Sequence, residues 1–317
     1  MGTVARSATK RRVKRRSVEI QDEQARRPWW FGAVTWVAIG VVAAFFGLWF
    51  AKRQAEAPAE QVAPPPTGLP HTPDYHALLV SPNDARRLVL GTHAGLYEST
   101  DGGRTWRKGP LGGNDAMNLV RTRSERIWAA GHNVLFASDD GGRTWSEVRP
   151  DGLPGLDLHG FAADPTDGDT LYAAVAGEGL YRSVDGGRTF SQVSEEIGGN
   201  VFGLSVTPSG RVLAADPSSG VHASDDGGRT WRAVLSEPAI GVAVSGARPR
   251  SVLATGRGIF LSRDAGSSWR TVRVVEGGFG PVAWAPSDPR VGYAIGPERT
   301  LYSTRDGGAS WGPVGGP

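Results

Sequence analysis

Two hydrophobic patterns divide the chain. The first is continuous: residues 29–51 form a run of 23 without one charged side chain. As a helix rising about 1.5 Å per residue it spans roughly 34 Å, enough to cross a hydrocarbon core. Trp29 and Trp30 stand at one end and Trp49 at the other, the places where aromatic rings meet headgroups. A cleaved export signal has a shorter and less aromatic core, so the run reads as an uncleaved anchor. The second pattern begins after residue 70. Apolar segments of four or five residues alternate with turns rich in Gly, Asp and Ser to the end of the chain. Strands are predicted over 76–80, 87–91, 96–99 and 105–108, and the same phase returns at 159–163, 170–174, 180–183 and 189–193. This is an all-β pattern in units of four strands.

The turn between the third and fourth strand of each unit carries one recurring phrase. It runs Ser99, Asp101, Gly103, Thr105, Trp106 in the first unit and Ser138, Asp140, Gly142, Thr144, Trp145 in the second. It returns around Asp185 and Phe190, around Asp226 and Trp231, and, more loosely, around Asp264 and Trp269 and around Asp306 and Trp311. The six aspartates are 38 to 45 residues apart, a period proper to a repeat array. The chemistry suits a hairpin turn. The carboxylate accepts backbone N–H groups, glycine takes the positive φ, the hydroxyl closes the network, and the aromatic ring packs back on the sheet.

The phrase matches the Asp-box, or bacterial neuraminidase repeat, and the chain resembles the β-propellers built from it. That resemblance implies a six-bladed propeller of four-stranded blades over residues 71–317, preceded by one transmembrane helix. The pattern is similar to bacterial propellers described as sialidase-like or glycosyl-hydrolase-like, and also to photosystem II stability factors and sortilin-type ectodomains, which bind proteins. In such propellers the boxes lie away from the axis as staples of the fold, so the six box aspartates and the six aromatic residues that close the boxes are expected to be structural.

Charge changes the picture of the ends. The chain has 35 Lys and Arg against 32 Asp and Glu, and a pI near 9.4. Residues 1–28 hold nine basic and three acidic side chains. The basic excess is therefore a short tail, and the remainder is mildly acidic. A nucleic-acid partner is not expected, since the body has no basic stripe of its own. The tail instead predicts a cytoplasmic N-terminus, a single membrane span over 29–51, and an extracytoplasmic remainder. Residues 52–70, rich in Ala and Pro, read as a stalk. The chain has no Cys and Arg far outnumbers Lys, which fits a bacterial surface protein. A missing Cys also excludes disulfides and thiolate sites.

Candidate chemistry gathers where first strands begin and second strands turn into third strands. Those positions hold His76, His93, Asn118, His132, His159, Glu178, Asp216, Arg257 and Glu298. Four of the six histidines thus fall on one predicted face. His76, His93, His132 and His159 are the candidate ligands of a divalent metal, the one cofactor this sequence suggests. No catalytic residue is assigned: the Arg-Ile-Pro phrase that opens sialidases is absent, and Trp128 follows the only Arg-Ile pair. The expected function is a non-catalytic scaffold for an extracytoplasmic protein partner. The alternative is a sialidase-like glycoside hydrolase, metal-assisted through the histidines, with its site at the propeller mouth.

Overall fold

In a computed structural model of the chain, the described residues are 68–197, 200–246 and 251–315. The expected tail, the membrane span and residues 52–67 of the stalk lie outside them. Among the described residues no helix is long and apolar enough to cross a membrane.

The described residues form 24 strands in six antiparallel sheets, each built from four consecutive strands in sequence order. Blade one contains β1 (Ala77–Val80), β2 (Leu88–Thr92), β3 (Gly95–Ser99) and β4 (Arg107–Lys108); blade two contains β5 (Asn118–Arg121), β6 (Ile127–Gly131), β7 (Val134–Ser138) and β8 (Ser146–Glu147). Blade three has β9 (Leu158–Ala163), β10 (Leu171–Val175), β11 (Gly179–Ser183) and β12 (Ser191–Ser194); blade four has β13 (Gly203–Val206), β14 (Val212–Asp216), β15 (Gly220–Ser224) and β16 (Arg232–Leu235). Blade five has β17 (Ala239–Val244), β18 (Val252–Gly256), β19 (Gly258–Ser262) and β20 (Arg270–Val274); blade six has β21 (Val282–Ala285), β22 (Asp288–Ile295), β23 (Leu301–Thr304) and β24 (Gly312–Pro313). The first strands touch in a closed cycle, β1 to β5, β9, β13, β17, β21 and back to β1. Six whole blades therefore close the ring with no strand borrowed from the other end of the chain.

Burial follows position in the blade. Every residue of β6 and β10 is buried, because middle strands face a neighbouring blade on both sides. The core is accordingly interblade. Trp128 of blade two packs on Phe161 of blade three with ring centroids 5.7 Å apart, and Phe161 meets the box residue Phe190 at 6.4 Å. The outermost strands are short and polar, as in β4 and β8, whose residues are all exposed. Such edges resist pairing with other chains. Leu69, at the end of the expected stalk, is buried in the cluster shared by blades one and six.

The boxes are one network repeated six times. In each, the Ser or Thr hydroxyl donates to the Asp Oδ1 at 2.7–2.9 Å and accepts the amide of the glycine two residues after the Asp at 2.8–3.0 Å. A second hydroxyl donates to Oδ2 at 2.6–2.7 Å. The Thr105 hydroxyl is the main reason the Asp101 carboxyl is lowered to about 2, and Ser310 does the same for Asp306, also to about 2. Trp106, Trp145 and Trp231 donate Nε1 to the carbonyl of the second box glycine. Gly103 cannot be replaced without displacement: its φ is +87°, and a Cβ there would lie 2.1 Å from Leu301 Cδ2 of blade six.

Candidate functional site

Each box lies at the end of the third strand, and the turn joining second to third strands lies at the opposite end of the blade. The entry to each first strand shares that second end. In blade one the His76 amide donates to the Gly91 carbonyl at 2.9 Å, and Thr92 pairs with Gly95 across the turn. Six such turns and six strand entries form one mouth, opposite the boxes, around a channel of about 420 Å³ lined by the first strands of all six blades.

The sequence-predicted histidines of blades one to three meet at this mouth through three aspartates. Asp115, at the entry to blade two and only 7% exposed, is the hub. His132 Nδ1 lies 2.8 Å and His93 Nδ1 3.1 Å from its Oδ2, while His76 Nε2 lies 3.3 Å from its Oδ1. Asp74 holds His76 Nε2 at 3.1 Å and accepts the His93 backbone amide at 3.2 Å. On the other side, His132 Nε2 stands 3.0 Å from His159 Nε2, and Asp157 Oδ1 lies 3.4 and 3.3 Å from these two nitrogens. Two clusters result, Asp74 with His76 and His93, and Asp157 with His132 and His159. Both are geometrically compatible with holding a metal ion.

The fold holds these groups by the backbone. The turn residue His132 forms an isolated antiparallel bridge with Asp157 of the next blade, and the Asn133 amide donates to Leu156 at 3.0 Å. Asn118, also expected at the mouth, is buried and turned toward blade three. Its Nδ2 donates to the carbonyls of Leu158 and His159, and its Oδ1 accepts the Phe161 amide. It is a clamp beneath the histidines. Ser205 and Thr255 make comparable reaches, donating to Val242 at 2.9 Å and Gly280 at 2.7 Å.

The remaining expected residues stand apart from this cluster. Asp216 folds onto its own turn, where Oδ1 accepts the Ser218 amide and hydroxyl and the Ser219 amide. Burial pushes its carboxyl upward, but these donors together bring it below the usual range. Glu178, Arg257 and Glu298 are exposed on the turns of blades three, five and six, and among the described residues none contacts the histidines. Next to the histidines, at the entries to blades four and five, the mouth carries two partly exposed apolar side chains. Phe202 and Ile240 are 39% and 38% exposed, line the channel, and the Phe202 ring lies 5.1 Å from that of His159.

The three aspartates and Phe202 were not among the expected site residues. A signal for two of them exists, since Asp-x-His occurs at Asp74 to His76 and at Asp157 to His159. Each pair lies at the entry to a first strand.

The family described as photosynthesis system II assembly factor YCF48 matches residues 77–219, a little under half of the chain. Among curated proteins none matches. Similar solved structures include an ancestral GH74 enzyme, 17% identical, with a TM-score of 0.52 over 78% of this chain and 41% of that one. YCF48 bound to D1 peptide is 19% identical, with a TM-score of 0.49 over 79% of this chain and 88% of that one. The GH74 xyloglucanase from Xanthomonas campestris is 22% identical, with a TM-score of 0.49 over 74% and 37%. The chain thus spans about two fifths of the length of these GH74 structures. With its six boxes and six blades, it is an Asp-box β-propeller.

Proposed function

We propose that this Asp-box propeller is a membrane-tethered, extracytoplasmic scaffold whose mouth binds a segment of a protein partner without transforming it. The observation that carries the reading is the composition of the mouth. Four imidazoles and three carboxylates gather in blades one to three, beside Phe202 and Ile240 of blades four and five, both partly open to solvent. Exposed aromatic and aliphatic anchors beside groups that fix polar atoms are what a peptide segment needs for affinity and orientation. The match of residues 77–219 to an assembly-factor family supports a partner that is itself being assembled. The uncharged run at 29–51 behind a basic tail supports the tether and its orientation.

Affinity capture of the full-length chain from its native membrane tests the reading. The wild type is expected to retain a protein partner that Phe202→Asp and Ile240→Asp release, with both variants folded by circular dichroism. Retention unchanged in both variants would place the binding surface elsewhere. The glycoside hydrolase alternative predicts turnover on a glycoside panel, lost in Asp115→Asn; that result would replace the scaffold reading.

A further inference from the structure

We propose that His132, Asp157 and His159 form a binding site for one divalent transition metal of the zinc class, bridging blades two and three at the mouth. The inference goes beyond the scaffold reading and stands or falls without it, because no partner enters its test.

The first support is the spacing of the donor atoms. The three edges of the triangle are 3.0, 3.3 and 3.4 Å. Four ligands held tetrahedrally at zinc distances of about 2.0–2.1 Å lie about 3.3 Å from one another. The triangle is therefore one face of a coordination tetrahedron.

The second support is the tautomer. Asp115 Oδ2 lies 2.8 Å from His132 Nδ1; in the tautomer that donates this nitrogen's proton to the carboxylate, Nε2 presents its lone pair. That lone pair points at His159 Nε2, and the Asp157 carboxylate approaches both. One proton among these three atoms satisfies a single close pair. One cation satisfies all three. Carboxylate behind imidazole behind metal is also the usual outer-shell arrangement that orients a ligating histidine. The buried Asp115 supplies it from a position that the fold already fixes.

The third support is preorganisation. The His132–Asp157 bridge, the donation of the Ala176 amide to the Asp157 carbonyl at 2.9 Å, and the Asn118 clamp on the His159 carbonyl hold the three backbones before any ion arrives. Two imidazoles and one carboxylate select borderline ions such as Zn²⁺ over Ca²⁺ or Mg²⁺, which take oxygen ligands. The triad leaves a solvent-facing position, since the His132 and Asp157 side chains are 45% and 52% exposed. The Asp74, His76, His93 cluster is less suited. Only its His76–Asp74 pair is close, at 3.1 Å, and His93 meets Asp74 through its backbone amide.

The test uses the full-length chain without a polyhistidine tag, stripped with chelator and titrated with Zn²⁺ and with Co²⁺. One ion per chain is expected, with visible Co²⁺ absorption of four- or five-coordinate intensity, and excess Ca²⁺ does not compete. His132→Ala and His159→Ala each weaken binding by about 100-fold or more, and Asp115→Asn by about 10- to 100-fold. His222→Ala in blade four leaves it unchanged. Thermal melts in chelator establish that the variants are folded. No Zn²⁺ binding tighter than millimolar by the folded wild type overturns the proposal. So does binding that survives both His132→Ala and His159→Ala, or that is lost only in His76→Ala or His93→Ala.

Discussion

Replacing Asp101 by alanine removes the centre of the first Asp-box. The carboxylate accepts four bonds: from the Ser99 hydroxyl at 2.9 Å, the Arg104 and Thr105 amides at 3.0 and 2.9 Å, and the Thr105 hydroxyl at 2.6 Å. Hydrogen bonds to charged groups contribute about 1.5–3 kcal/mol each when the freed partner stays buried. Here Arg104 and Thr105 are exposed, so water recovers most of what their donors lose. Ser99 is buried, and it keeps the Gly103 amide as a partner. The cost of Asp101→Ala is therefore about 1–2 kcal/mol, similar to the loss of a helix cap. In a domain of this size that lowers Tm by about 3–6 °C. Asp101→Asn retains an acceptor and costs less.

The dependence on pH gives the sharper check. The folded carboxyl is at about 2 against an ordinary value of 3.8. Its contribution is thus complete above about pH 4 and is lost as pH falls through about 2. The assay is thermal unfolding of wild type and variant by circular dichroism at pH 7 and at about pH 2.5. The gap in Tm narrows at the lower pH. A Tm unchanged at pH 7, or a gap of the same size at both pH values, would refute the view that an ionised Asp101 staples the turn.

Three further outcomes follow from the same geometry. Gly103→Ala, with a positive φ and Leu301 in the way, destabilises by more than the roughly 1 kcal/mol of a left-handed non-glycine residue alone, read as urea midpoint. Phe161→Ala opens a void between Trp128 and Phe190 and costs about 3–5 kcal/mol by the same assay, unless the blades collapse into it. Acid unfolding takes up protons between about pH 4 and 2, because all six box aspartates are lowered; potentiometric difference titration reads this as a stability that falls with pH across that window.

The blades were legible because the box is local. Eight residues contain the donor, the acceptor and the turn, so its six copies mark every hairpin without knowledge of the rest. Limits of the strands were less so. The expected fourth strand of blade one took in Thr105 and Trp106, whereas β4 begins at Arg107, because the Thr105 amide and hydroxyl are spent on Asp101. Middle strands shifted by one residue, from 87–91 to Leu88–Thr92. At the mouth, strand phase alone placed four histidines on one face. It could not show that His132 bridges to Asp157 across a blade boundary, since that pairing depends on how two sheets abut. Nor could it show that the Asn118 amide is satisfied by the blade three backbone. Asp115 lies three residues before β5, outside any strand, and only the assembled ring brings it beneath three imidazoles.

The central claim is that the working surface is the mouth and that the boxes serve the fold. Site-specific photocrosslinking addresses it directly, with a photoreactive amino acid placed in the full-length chain at Phe202 or Ile240, or at Arg143 or Arg229 in the boxes at the far end. The account predicts a discrete crosslinked protein partner from native membranes at the two mouth positions and none at the two box positions. Crosslinks at Arg143 and Arg229 with a silent mouth would contradict it.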